Sequence, residues 1–146
     1  MTRLGLISLL NLVFMLALLA PARSDSGPAY QVIIHPANGT DRLDKRFVAD
    51  AFLRKRTRWG DDRAILPVDL GQKSSTRSAF SHAVIGRDVA SVRRYWAQLM
   101  FSGRGVPPPE LASEGDVIRY VAEHSGAIGY VAPGAALSGV KVVEVN

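Results

Sequence analysis

The sequence predicts an α/β fold, because short apolar segments of strand character alternate with segments of helical periodicity along the 146-residue chain. The apolar segments at 31–35, 65–70 and 127–131 are each bounded by Gly, Pro or Asn. We predict one domain over residues 31–146, with a small mixed sheet flanked by about four helices. Wherever strands run parallel, we expect right-handed crossovers.

The first half of the domain opens with a strand at 31–35, which ends at the Asn38-Gly39 turn signal. Asp44 is placed to cap a first helix that reaches about Arg54. Four apolar side chains of this helix fall on one face: Phe47, Val48, Ala51 and Phe52. This spacing predicts a helix that packs against the sheet.

The second strand, helix and loop form the segment with most chemical interest. An apolar strand at 65–70 leads into a polar loop at 71–76 and then a helix over 77–85. A helix N-terminus leaves backbone N–H groups unpaired and carries partial positive charge, which suits an oxyanion.

Five neighbouring residues are the candidate anion-binding residues. Ser74, Ser75 and Thr76 offer hydroxyl groups at the start of the helix, and Lys73 and Arg77 add full positive charges. The alternative is an ordinary N-cap, because Ser and Thr begin many helices that bind nothing.

The second half of the domain continues the alternation. Asp88 is placed to cap a third helix, in which Arg93 faces away from the core. The spacing of Trp96 predicts core packing rather than an aromatic ligand platform with Trp59 and Tyr95. Ser113 and Asp116 form an acidic variant of the capping box before a fourth helix that ends at Gly126. The other segments are a rigid surface connection at 102–112 and strands at 127–131 and 140–145.

The N-terminal segment predicts export. Residues 1–22 combine Arg3, an apolar run at 4–20 and the small-x-small sequence Ala20-Pro21-Ala22, as in a cleaved signal peptide. The alternative is a permanent anchor, but the run is shorter than the roughly 20 apolar residues of a membrane span. We therefore expect a periplasmic protein, with residues 23–30 as a linker.

Composition restricts the chemistry. The chain has no cysteine, which excludes disulfides and thiol nucleophiles, and its formal net charge of +5 favours anionic partners. Nucleic acid is not expected for an exported chain. The three histidines, His35, His82 and His124, show no metal-ligand spacing, and no Gly-x-Ser-x-Gly motif is present. We expect no enzyme activity, no metal and no cofactor.

Three segments occur in the order of known motifs. Residues 51–59 are similar to a helix-ending F-x-G-K-x-x-x-W segment, and residues 74–80 to an S-G-T-x-x-x-F anion loop. Residues 125–131 are similar to a P-G-A-I-G-Y-V strand. Together they resemble the phosphate-type family of periplasmic substrate-binding proteins of ABC transporters. The resemblance implies one lobe of a type II periplasmic-binding-protein-like fold, with residues 74–76 as its phosphate-binding loop.

The chain also departs from this family's pattern. Ser75 stands where the loop has a glycine, and Leu70 and Gln72 align with the family's ligand-binding arginine and aspartate. Lys73 and Arg77 are the candidates to supply the missing positive charge. Because a single lobe offers only half of a ligand's contacts, we expect weak binding unless a partner or a second copy closes the site.

Two functions remain open from the sequence. The first is an exported domain that binds phosphate or another small oxyanion and is linked to phosphate ABC transport or sensing. The second is a periplasmic adaptor that has lost solute binding and contacts a membrane or envelope protein.

Overall fold

A computed structural model describes residues 27–146 of the chain. The predicted signal peptide at 1–22 and the start of the predicted linker lie outside these residues. The described part contains a five-stranded mixed sheet, a two-stranded sheet and four α-helices. The predicted α/β class and number of helices are therefore confirmed. None of the helices described combines the length and apolar character needed to cross a membrane.

The strands are β1 (Gln31–Ile34), β2 (Arg42–Leu43), β3 (Leu66–Pro67), β4 (Asp69–Leu70), β5 (Glu110–Leu111), β6 (Ala127–Val131) and β7 (Lys141–Val145). The helices are α1 (Lys45–Phe52), α2 (Ser75–Phe80), α3 (Val89–Phe101) and α4 (Glu114–Glu123), and α2 continues into a π-helical turn at Ser81–Ile85.

The large sheet has the strand order β2-β7-β1-β6-β3. Its central strand, β1, runs antiparallel to both β6 and β7, whereas β3 is parallel to β6 and β2 is parallel to β7. All five residues of β6 are buried, because elements pack on both of its faces. The two outermost strands are only two residues long, which limits the exposed sheet edge.

The prediction of a single strand at 65–70 is wrong, because the structure divides this segment between the two sheets. β3 pairs with β6, and the N–H of Val68 still donates to Ile128 (3.0 Å). The next N–H, that of Asp69, donates instead to Pro109 (2.9 Å), and β4 pairs with β5. β5 was not predicted, because it lies within the segment interpreted as a rigid surface connection.

The predicted helix starts at Asp44, Asp88 and Ser113 are confirmed, since each side chain accepts a hydrogen bond from the first turn of its helix. The second helix differs from its prediction. It begins at Ser75 rather than at residue 77, because the hydroxyl of Ser74 accepts from the N–H of Arg77 (3.1 Å) and caps it. Ser75 and Thr76 therefore belong to the first helical turn.

An aromatic cluster fixes α2 to the sheet. The ring of Phe80 stacks on Tyr130 of β6, with centroids 3.9 Å apart, and Phe52 of α1 meets Phe80 edge-on at 4.8 Å. All three side chains are fully buried. The start of α2 is thus held at a defined position relative to the sheet.

Two glycines of the motif at 125–131 are explained by close packing. A Cβ at Gly126 would collide with the backbone oxygen of Ala64. A Cβ at Gly129 would lie 2.6 Å from a methyl group of Val117, where α4 crosses β6. These positions need glycine because neighbouring elements approach the strand closely, which is a requirement of the fold.

Candidate functional site

The candidate site lies where β4 leads into α2. A tight turn follows Leu70, closed by a hydrogen bond from the N–H of Ser74 to the carbonyl of Gly71 (3.0 Å). The hydroxyl of Ser74 then caps the helix. Loop and cap together orient the first N–H groups of α2 away from the helix, as a helix start normally does.

Two backbone donors of this turn are available. Within the described residues, the N–H groups of Ser75 and Thr76 donate to no acceptor. The side chains of Ser75 and Lys73 are exposed beside them. The arrangement can therefore donate hydrogen bonds to an anion and supply one full positive charge.

Thr76 has a different environment from Ser75. Its side chain is buried, and its hydroxyl donates to the Oε1 atom of Glu114 on α4 at 2.8 Å. This hydrogen bond ties the start of α2 to the start of α4.

The structure places Arg77 beneath the loop, in an internal ion cluster. Its residue surface is only 5% exposed. The guanidinium pairs with Asp69 (3.1 Å) and Glu110 (2.8 Å) and also donates to the carbonyl of Leu70. Two carboxylates thus compensate its charge, so Arg77 shapes the loop from below instead of presenting a free cation to solvent.

Tyr130 completes this cluster by donating its hydroxyl to Asp69. Burial raises the pKa of Asp69, against the opposing effects of Arg77 and the Tyr130 hydrogen bond. Burial, followed by the charge of Asp69, raises the pKa of Tyr130 above its usual range. Tyr130 therefore stays protonated and acts as a donor, which makes the cluster a fixed structural support for the loop.

Two surface depressions flank the loop. The first, of ≈ 730 Å³, lies towards α3 and includes Lys73, Ser75 and His82. The second, of ≈ 590 Å³, lies towards α4 and includes Glu110 and Glu114. Lys73 lines both depressions. The first also contains His82 and one carboxylate, that of Asp88, which caps α3, whereas the second contains two carboxylates. A negatively charged ligand is favoured on the α3 side.

The sequence analysis missed Arg93 as a neighbour of the loop. Its guanidinium donates to the side-chain oxygen of Gln72 at 3.3 Å. Helical periodicity predicted that Arg93 faces away from the core, which is confirmed, but not that it would reach residue 72. The role of Glu114 was missed for the same reason, since both depend on how separate helices pack.

The aromatic residues weighed as a ligand platform prove to be packed. Trp59 and Trp96 are both buried, and the indole N–H of Trp59 donates to the carbonyl of Gly126 (2.9 Å). The hydroxyl of Tyr95 donates to the carbonyl of Leu53 (3.1 Å). The core-packing interpretation of Trp96 is confirmed. Across residues 27–146, no three His, Cys, Asp or Glu side chains are grouped to hold a metal ion.

Several solved structures share this fold. An ABC-type phosphate transport receptor from Vibrio cholerae aligns over 80% of this chain and 46% of its own, at a TM-score of 0.63 and 16% identity. A putative phosphate ABC transporter substrate-binding protein from Clostridium perfringens, with bound phosphate, aligns over 80% of this chain and 44% of its own. The TM-score is 0.63 and the sequence identity is 22%. A possible phosphate binding protein from Planctomyces limnophilus aligns over 81% and 41%, at 0.59 and 17% identity.

The resemblance predicted from the three motifs is therefore confirmed at the level of the fold. The chain spans less than half the length of these neighbours, which corresponds to a lobe-sized part of a phosphate-type substrate-binding protein. No protein-family model and no curated protein sequence matches the chain.

Proposed function

We propose that this chain binds a small oxyanion of the phosphate type at the start of α2. The observation that carries the proposal is the first turn of α2, where the N–H groups of Ser75 and Thr76 donate to no acceptor among the described residues and the exposed Lys73 precedes the turn. The fold of a phosphate receptor lobe around this turn supports the proposal.

Charge favours the α3 side of the loop as the position of the anion. Lys73 and Arg93 carry positive charges there, and the hydroxyl of Ser75 is exposed. The other side has two carboxylates, Glu110 (paired with Arg77) and Glu114, whereas the α3 side has only that of Asp88. Because Arg77 is compensated internally, we propose Lys73, Ser75 and the two backbone N–H groups as the contacts, with Ser74 and Thr76 holding the turn in shape.

The proposed affinity is low for the chain alone. A few hydrogen bonds of about 1 kcal/mol each correspond to a dissociation constant on the order of millimolar. A second lobe, from another chain or a second copy, would add contacts and exclude water. We propose that the protein is exported to the periplasm and takes part in phosphate transport or sensing, without catalytic activity of its own.

Isothermal titration with phosphate, arsenate and sulfate tests the proposal. We expect Lys73→Met to weaken phosphate binding about fivefold, because one charge-assisted contact is lost. Lys45→Met is the matched control, since it removes one exposed lysine at the start of α1. Ser75→Ala removes the exposed hydroxyl, whereas substitution of Ser74 or Thr76 would also disturb the fold.

The expected result is heat release with phosphate that Lys73→Met and Ser75→Ala reduce and Lys45→Met leaves unchanged. No heat with any of the three anions at 10-fold the expected dissociation constant, on the order of 10 mM, would contradict the proposal. Equal losses in Lys73→Met and Lys45→Met would also contradict it, because binding would then follow net charge alone.

A further inference from the structure

One face of the helix that begins with α2 lines the depression on the α3 side of the loop. Ser75, Ser78, Ala79 and His82 all line it, and their spacing places them on the same side of a helix. His82 is exposed in the π-helical turn that continues α2. Because Cα–Cβ bonds of a helix are inclined towards its N-terminus, that of His82 is inclined towards Ser78 and Ser75. The imidazole therefore belongs to the depression in which we propose that the oxyanion binds.

The start of α3 forms the opposite wall of this depression. The chain reverses at Gly86, whose φ of 72° lies in the left-handed region that favours glycine. The hydroxyl of Ser81 donates to the carbonyl of Arg87 (2.7 Å) and fixes the path into α3. Asp88 comes next and lines the depression from this side. The imidazole of His82 and the carboxylate of Asp88 thus border the same space.

Three ionisable side chains line this depression among the described residues: Lys73, His82 and Asp88. The hydrogen bond from the N–H of Ser91 lowers the pKa of Asp88, and the positive charges of Arg94 and His82 lower it further. Asp88 therefore stays ionised at mildly acidic pH and offsets the charge of Lys73. Whether the depression has a net positive charge depends on His82, because histidine commonly changes its charge between pH 5 and 8.

The other charged residues on elements packed against the π-helical turn do not line the depression. Arg93 reaches its rim through Gln72 (3.3 Å), and Arg87 lies over the ring of Tyr95, 5.6 Å from the centroid. These residues are Lys45, Arg46 and Asp50 of α1, Arg77 of α2, Arg87 before α3, and Arg93 and Arg94 of α3. His82 is thus the lining group that changes the charge of the depression in this pH range.

We propose that the imidazolium form of His82 is a second cationic contact for the oxyanion, which the depression then binds more tightly at pH 5.5 than it would without this contact. The inference rests on the proposed function and adds a contact that the start of α2 does not supply. The imidazolium offsets the carboxylate of Asp88 and donates through a ring N–H, and a charge-assisted hydrogen bond is stronger than a neutral one. The neutral imidazole leaves the charges of Lys73 and Asp88 balanced.

Isothermal titration of the full chain with phosphate at pH 5.5 and pH 8.0 tests the inference. Parent and variant are compared at the same pH, so the protonation of phosphate itself cancels in the ratio of their affinities. We expect His82→Gln to weaken binding about fivefold at pH 5.5, because one charge-assisted contact is lost. At pH 8.0 its affinity should match that of the parent, since the imidazole is then neutral.

Two further variants sharpen the test. His124→Gln is the matched control and should bind like the parent at both pH values, because His124 lies outside the depression, with Nδ1 2.8 Å from the carbonyl oxygen of Tyr120. Asp88→Asn should have the opposite effect and tighten binding about fivefold at pH 8.0, because it removes the negative charge while asparagine still caps the helix. Circular dichroism confirms that the variants keep the fold.

The inference is overturned if His82→Gln binds phosphate as tightly as the parent at pH 5.5, or if His124→Gln loses as much affinity there. A loss in His82→Gln that is equal at both pH values also overturns it, because a contact made by the imidazolium is lost at the lower pH alone. In each of these cases phosphate binding by the parent leaves the proposed function intact. No heat with the parent at either pH contradicts the proposed function, and the inference with it.

Discussion

The arginine under the candidate loop and those on α3 carry the same charge in opposite environments. Arg77 is buried between Asp69 and Glu110 and also bonds the backbone of Leu70. Arg94 is exposed, and its nearest polar partner is a serine hydroxyl. The first guanidinium has satisfied its hydrogen-bonding capacity within the fold, and the second has not.

This difference shows which charges are available to a ligand. A buried arginine that is paired with two carboxylates contributes little net field at the surface, and moving it would expose unpaired buried groups. An exposed arginine without a carboxylate keeps its charge for an external partner. The environment of each positively charged side chain therefore has to be known before that side chain is assigned to binding.

Arg77→Met should produce the largest effect. It leaves Asp69 buried without its cation, and we expect a loss of about 3–5 kcal/mol in the free energy of unfolding. Arg94→Met is the matched control and should leave the melting temperature within about 2 °C, because no ion pair is lost. Thermal unfolding followed by circular dichroism measures both. Similar melting temperatures for the two variants would contradict the comparison.

Lower pH should reduce the loss of unfolding free energy that Arg77→Met causes relative to the parent. Burial raises the pKa of Asp69 even with Arg77 present, and removal of the cation should raise it further. The native variant then binds this proton more tightly than its unfolded chain does, so its free energy of unfolding rises as the pH falls through that raised pKa. Melting temperatures of parent and variant at pH 7 and pH 5 test the sign. A deficit that widens at pH 5 would refute this account.

Apolar side chains on the inner and outer sides of α3 should contribute different amounts to the free energy of unfolding. Trp96 is 4% exposed, so Trp96→Ala should cost about 3 kcal/mol of unfolding free energy through lost burial and a cavity. Met100→Ala, on the exposed side, should change it by less than about 0.5 kcal/mol. Urea unfolding of both variants measures the difference, and a Trp96→Ala variant as stable as the parent would show that the inner side is not packed.

Thr76→Val should have the smallest effect. The substitution preserves shape and removes the hydroxyl that donates to Glu114, so we expect a loss of about 1 kcal/mol. Ser75→Ala, one residue earlier and exposed, should leave the unfolding free energy unchanged within about 0.5 kcal/mol. If the two substitutions cost the same, the contrast between the inward and outward hydroxyls of this turn is incorrect.

Local patterns predicted a large part of this fold. The capping residues Asp44, Asp88 and Ser113 bond backbone groups of the next turn, so their effect can be predicted from the neighbouring sequence. The burial of Trp96 follows in the same way from helical spacing. The division of residues 65–70 between two sheets could not be predicted, because it depends on β5, about forty residues later.

The loop between β4 and α2 was predicted in position, but the environments of its candidate residues were not. Sequence grouped Lys73 and Arg77 as equivalent cations four residues apart. The tertiary structure gives them different environments. Asp69 and Glu110 both pair with Arg77, and neither carboxylate pairs with Lys73. Arg93 joined the neighbourhood only through the packing of α3. Whether any of these residues binds an anion stays a prediction.

The sequence by itself determined the alternation of the main strands and helices, the starts of three helices and the place of the loop, because these follow from interactions within a few residues. Only the tertiary structure decided which charges are compensated, which hydroxyl faces inward and which apolar side chains remain uncovered. Those properties depend on residues far apart in the chain, whose distances are set when the helices pack on the sheet.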